Sequence, residues 1–147
     1  MLPSDFASGK APYRDSYPAS NESGARIVVE VEFDIYNDPF RMYAILDTGA
    51  PWCVVSFEVA ADAGMEIDRN LNQTLLVRGK SIDGHLARGP IRLLAEQGDS
   101  IDIEATFFVL SEDYPSDTLP VFIGYQGLLE RIRFAIDPVT NSVYFGA

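Results

Sequence analysis

The chain has 147 residues, 47% of them hydrophobic and 22% charged, which suits one folded domain with a real core and excludes wholesale disorder. Its formal net charge of −11 leaves no basic surface to neutralise phosphates, so neither nucleic acid nor an anionic membrane is an expected partner. A single cysteine, Cys53, forbids an intrachain disulfide and suits a reducing compartment. No run reaches the length of a membrane span, and MLPSDFASGK lacks the apolar stretch of a secretory signal, so the expected location is the cytoplasm.

Residues 1–24 are rich in Pro, Ser, Ala and Gly without periodicity and read as a flexible arm, leaving 25–147 as the folded domain. From Ile27 to Ile35 apolar residues alternate with Val28, Glu30, Glu32 and Asp34, a strand with one wet face. Asn37-Asp38-Pro39 turns the chain into a second strand, Phe40 to Leu46, which delivers Asp47 at its end. Trp52 to Val55 reads as a short buried strand, and Ser56 caps a helix from Phe57 to Ala63 closed by Gly64. Strands Thr74 to Val77 and Leu86 to Leu94 surround a glycine-rich stretch. Ile101 to Leu110 is a further strand, and Ser111 to Thr118 an acidic loop. The apolar Val121–Gly124, a short helix Gln126 to Arg131, and a hairpin of Phe134 to Ile136 with Val143 to Phe145 complete the chain. Many short strands with one or two short helices predict a mostly-β fold, a closed barrel or a sandwich.

Asp47-Thr48-Gly49-Ala50 follows the apolar run Tyr43-Ala44-Ile45-Leu46. Alone, an Asp-Thr-Gly is equally a strand-end turn, in which Asp accepts backbone N–H groups and Gly supplies unusual dihedrals. Its placement makes it chemically suggestive. A carboxylate at the end of a buried strand is followed by a hydroxyl able to bond across a tight interface, then by a glycine that admits another backbone.

Ile45-Leu46-Asp47-Thr48-Gly49-Ala50 resembles the active-site signature of retropepsins and of pepsin lobes. Val121-Phe122-Ile123-Gly124 with its following helix resembles the apolar-apolar-Gly segment that packs behind the catalytic loop, here through Ile123 and Gly124. Phe134-Ala135-Ile136-Asp137 through Asn141–Ala147 resembles the closing hairpin of a pepsin lobe. These matches fall in the family's order over about 27–147. The resemblance implies a closed β-barrel of the acid-protease (retropepsin) type, an aspartic endopeptidase activity without cofactor or metal, Asp47 as the catalytic carboxylate, and Thr48, Gly49 and Ala50 as its supporting loop. Many retropepsins carry Gly-Arg after the apolar pair and an acid directly after Asp-Thr-Gly-Ala, which form an ion pair near the dimer interface. Tyr125 and Pro51 stand there instead, so the pair is lost without an orphan charge.

Hydrolysis by this chemistry needs two carboxylates sharing a proton. No second Asp-Thr-Gly or Asp-Ser-Gly exists in the chain, so the expected partner is Asp47 of a second copy, in a two-fold homodimer acting on an extended polypeptide. The resemblance also implies a flap, best matched by Arg78–His85, with Ile82, Asp83, Gly84 and His85 as its substrate-facing residues; an ordinary exposed hairpin is the other reading. A thiol mechanism through Cys53 and His85 is disfavoured by the apolar setting Trp52-Cys53-Val54-Val55, and a lone histidine makes no zinc site. The alternative to an active endopeptidase is a protease-like peptide-binding or dimerisation module.

Overall fold

A computed structural model describes residues 6–17, 26–35, 38–77, 79–115 and 120–147. Strands β1 (Gly9–Pro12), β2 (Val28–Ile35), β3 (Asp38–Asp47) and β4 (Cys53–Val55) precede α1 (Phe57–Asp62), the one α-helix among the described residues. The Ser56 side chain accepts the Val59 N–H at 3.1 Å to start that helix, and Gly64 beyond its end adopts φ 62°. Then come β5 (Glu66–Val77), β6 (Lys80–Leu93), β7 (Gln97–Gly98), β8 (Ile101–Leu110), β9 (Val121–Gly124), a 3-10 turn (Leu129–Arg131), β10 (Arg133–Asp137) and β11 (Ser142–Gly146).

One sheet runs β2-β3-β9-β4-β8-β6-β5 and closes on itself where β2 pairs with β6 at Val31↔Leu93 and Glu32↔Arg92. The result is a six-stranded mixed barrel, with β5 left outside as an extension of β6. Its interior is filled by Phe33, Phe107, Val31, Val109 and Ile123, all fully buried. Closure removes both edges of the barrel strands, which is how an all-β chain avoids open ladders. The second sheet, β10-β11-β1-β7, caps one side through Ala11, Val143 and Phe145.

Four features depart from the sequence reading. Pairing begins at Gly9, well inside the expected arm: β1 runs antiparallel to β11 from Gly9↔Phe145 to Pro12↔Ser142. A four-residue strand is too short to show a period, and Gly9 is there for space, since a Cβ would lie 2.4 Å from the Asp99 carbonyl oxygen. Residues 1–5 and 18–24 of that arm lie outside the described residues. Val28, assigned to the wet face, is buried because Arg14 forms a β-bridge with it; the Arg14 guanidinium in turn sits 4.9 Å over the Tyr43 ring. The helix expected over Gln126 to Arg131 is only the single 3-10 turn. Gly127 spends its N–H on Pro51 O (2.9 Å) and its carbonyl on Thr106 N (3.0 Å), so those groups are not free for an α-helix. Finally, β5 and β6 are longer than the expected strands and pair from Val77↔Lys80 onward. Asn37, Arg78 and residues 116–119, parts of the expected turn, flap and acidic loop, lie outside the described residues.

Candidate active site

Strands β3 and β4 are consecutive in the chain but not neighbours in the sheet, because β9 lies between them. It runs parallel to β3, from Ala44↔Val121 to Asp47↔Gly124, and antiparallel to β4 at Val54↔Phe122. The segment from Asp47 to Trp52 must therefore step across the end of β9. That crossing explains Gly124: a Cβ there would lie 2.2 Å from Trp52 O and 2.9 Å from Ala50 O. The backbone then stitches the two segments together, Tyr125 N–H donating to Ala50 O at 2.8 Å and Gly127 N–H to Pro51 O at 2.9 Å.

Within the crossing, the Gly49 N–H donates to Asp47 Oδ1 at 2.9 Å and the Ala50 N–H to the Asp47 carbonyl at 3.1 Å. One carboxylate oxygen is thereby held by its own turn, which fixes the orientation of the side chain. Asp47 is half-buried, while Thr48 and Gly49 are exposed. A Cβ at Gly49 would meet nothing closer than Asp47 Oδ1 at 3.2 Å, so its surface is open to an approaching backbone. Asp47, Thr48, Gly49, Ala50, Ile123 and Gly124 are brought together in one place by the β3–β9 pairing.

The strands around this turn are apolar on both faces. Cys53, Val55, Phe107, Val109, Val121 and Ile123 point into the barrel. Val54, Phe108 and Leu110 point the other way, with Trp52 and Phe122 beside them, into a second cluster. Burial on both faces is why Trp52–Val55, Phe107–Leu110 and Val121–Ile123 are continuous apolar runs instead of alternating ones. The Trp52 and Phe108 rings stack there, with centroids 6.2 Å apart and planes 13° from parallel.

The β5–β6 hairpin covers this second cluster with Leu75, Ile82 and Leu86. Its turn is tight, with Gly79 at φ 79°, and Ile82, Asp83, Gly84 and His85 lie in β6 itself, paired with residues 72–75 of β5. Ile82 faces the cluster. Gly84 supports the crossing of the hairpin over β8, since a Cβ would lie 2.4 Å from Val109 O and 2.7 Å from the Phe108 ring. Asp83 and His85 fall on the opposite face, lining an open hollow with Asn72, Thr74 and Ser111. There Asp83 accepts the Thr74 hydroxyl at 3.0 Å, and His85 Nδ1 is buried with no hydrogen-bond partner among the described residues. Of the four expected flap residues, Ile82 and Gly84 are therefore on the Trp52 side, and Asp83 and His85 are not. Trp52, Phe122 and Leu75 belong to this second layer without having been singled out in the sequence, because an unbroken apolar run does not show which residue faces which layer.

Cys53 is fully buried, and burial pushes its thiol up to about 11, against smaller opposing effects from backbone hydrogen bonds and Arg131. A thiol so far above neutrality is not a nucleophile, and it faces the barrel interior, away from His85.

No family model matches the sequence, and no curated protein matches it. Among solved structures, the chain is similar to a retropepsin-like aspartic protease from Rickettsia conorii, with a TM-score of 0.53, 16% identity, and coverage of 93% of this chain and 89% of that one. At that identity the likeness concerns architecture, and it agrees with the barrel described above: the chain has a retropepsin-type fold.

Proposed function

We propose that this chain is one half of an aspartic endopeptidase, in which Asp47 of two copies activates a water molecule for attack on a peptide bond. The observation that carries the reading is the Asp47-Thr48-Gly49 turn, seated over Gly124 at the end of β3 in a retropepsin-type barrel. Two carboxylates a few Å apart cannot both ionise, so one remains protonated. The ionised one takes a proton from water, and the protonated one donates to the scissile carbonyl and later helps protonate the leaving amine. Gly49 and the exposed Thr48 leave room for the second copy and for an extended substrate backbone. Apolar substrate side chains would share the layer formed by Trp52, Phe122 and Ile82.

Asp47→Asn keeps size and turn geometry but cannot act as base. It is expected to abolish cleavage of an unfolded polypeptide while the folded, associated state persists. Cleavage by the purified variant near the wild-type rate would refute the mechanism. A fully active monomer in sedimentation would refute the two-copy requirement, since activity should rise with concentration as dimer forms. The second reading, a peptide-binding or dimerisation module, draws on Tyr125 and Pro51 at the family's ion-pair positions and on the hairpin packed down onto Trp52 and Phe122. It predicts peptide binding by wild type and Asp47→Asn alike, with no hydrolysis by either.

A further inference from the structure

Asp47 and Trp52 stand in one row across three strands. Asp47 is the partner of Gly124 where β3 runs beside β9. β9 and β4 are antiparallel at Val54↔Phe122, and that register, carried two residues further, sets Trp52 opposite Gly124. The Trp52 carbonyl accordingly fills the space that a Cβ on Gly124 would need. Trp52 is therefore two strand spacings from Asp47, about 9.5 Å, at the far end of the crossing that carries the Asp47 turn.

Its side chain lies at the surface of the second apolar layer. Val54, Phe108 and Leu110 are the buried floor of that layer, and Trp52, Phe122, Ile82 and Tyr114 pack on it half-buried. Phe108 stacks on one face of the Trp52 indole, so what solvent reaches is the rest of a ring already fixed in orientation. Phe122 and Tyr114 add two more rings to the same layer. An aromatic surface of this kind gains more from another ring, offset-stacked or edge-on, than from an aliphatic chain of similar area.

We propose that Trp52 is a specificity-determining residue, which selects an aromatic side chain at the second residue from the cleaved bond, on both sides of it. The inference rests on the two-copy reading of Asp47 and deepens it by naming a substrate class. An extended peptide advances about 3.3 Å per residue, so the second residue from the cut lies about 5 Å out. Its side chain spans the remaining distance to Trp52, whereas the two residues flanking the cut stay beside Asp47. A two-fold axis between the Asp47 side chains places one Trp52 on each side, so the preference is symmetric. A ring contact without a hydrogen bond gives a graded selection, about three- to tenfold for an aromatic over an aliphatic residue.

Two measurements test this, and one needs neither cleavage nor a substitution at Trp52. Trp52 is the only tryptophan of the chain, so its fluorescence reports on its own ring. Asp47→Asn is titrated with tryptophan-free octapeptides carrying either Phe or Leu two residues from the centre on each side. The Phe version is expected to change the emission and to bind about three- to tenfold more tightly. Equal affinity for the two versions, binding of neither, or emission that Phe peptides leave unchanged overturns the proposal. In the second measurement, wild type digests a library of unfolded polypeptides and the cut sites are sequenced. Phe, Tyr and Trp are expected to be enriched two residues from the cut on both sides, and Trp52→Leu to bring the Phe-over-Leu ratio there close to one. Enrichment that persists in Trp52→Leu, or that is confined to the residues flanking the cut, overturns it. If Trp52→Leu does not fold, the titration decides alone. Aromatic-dependent binding with no hydrolysis by wild type leaves the aromatic selection standing and counts against the protease. Asp47-dependent cleavage that is indifferent to Trp52 counts against this inference alone.

Discussion

The two apolar layers of this molecule share the same strands but are closed by different means. The inner layer, built on Phe107, Val109, Cys53 and Ile123, is surrounded by a barrel that pairs back onto itself. The outer layer, built on Phe108, Leu110, Val54 and Phe122, is covered only by the β5–β6 hairpin. The far strand of that hairpin is an edge, with Leu76 70% and Leu71 48% exposed. Exposing the first layer requires unfolding, whereas exposing the second requires only that a hairpin lift. Neighbouring residues in one strand thus face a layer sealed by the barrel on one side and a layer covered by a hairpin on the other.

Phe107 and Phe108 offer the sharpest way to break this comparison, being adjacent, identical and both fully buried. Phe107→Ala leaves a cavity that the closed barrel cannot collapse around and is expected to cost near the upper end of the ~3–5 kcal/mol range for such truncations. Phe108→Ala is expected near the lower end, because the hairpin can settle toward the space. It should also raise hydrogen exchange in β5 and the outer part of β6 without matching changes in β2 and β3. Denaturant melts with equal losses, and exchange spread evenly over the barrel, would mean that the two layers are one cooperative unit.

The sequence showed one of these layers better than the other, for physical reasons. Val29, Val31 and Phe33 alternate with the charged Glu30 and Glu32, so their strand and its inward face could be read directly. The runs around Cys53, Phe107 and Ile123 could be recognised as buried strands, but unbroken apolarity hides which residue faces which layer, so Trp52 and Phe122 went unassigned. The first two-thirds of β5, Glu66 to Gln73, is mostly exposed, and an edge strand wet on both sides has no hydrophobic period to read. Gly79 and Gly84 look alike in sequence, yet one makes the turn and the other relieves a clash with Phe108. The Asp47 turn was legible because strand, carboxylate, hydroxyl and glycine are contiguous.

A second contrast is between titrating the interior and titrating the surface. Cys53 is held protonated in the folded chain, up to about 11, while an unfolded cysteine ionises near 8.5. Between those values the folded state binds one proton more than the unfolded state, so stability falls as pH rises, by about 1.4 kcal/mol per pH unit. Below the unfolded value the contribution is fully present. Cys53→Ala should flatten that alkaline slope, measured by chemical denaturation between about pH 8 and pH 10.5. An identical slope in the variant would locate the titration elsewhere.

The smallest expected effect is on the outside of the seam where β2 closes on β6. Arg92 Nε donates to Asp102 Oδ1 at 2.7 Å and Nη2 to Oδ2 at 3.2 Å, with Nη1 reaching Glu32 at 3.2 Å. The row crosses β8, β6 and β2, so it reinforces the closure that seals the inner layer. Hydrogen bonding to Arg92 holds the Asp102 carboxyl below its usual value. Because the folded value is depressed, the contribution is present above the unfolded value near 4 and is lost as pH falls through the lowered folded one. Asp102 is 66% and Arg92 44% exposed at the side chain, so water and salt screen most of it. Arg92→Gln is therefore expected to lower the melting temperature by only about 2 °C at neutral pH. The difference from wild type should hold down to about pH 5, shrink below about pH 4 and fade in high salt. A difference that survives acid would show that Arg92 contributes through its packed stem, and the seam would then be held by the same apolar contacts as the barrel interior, not by charge.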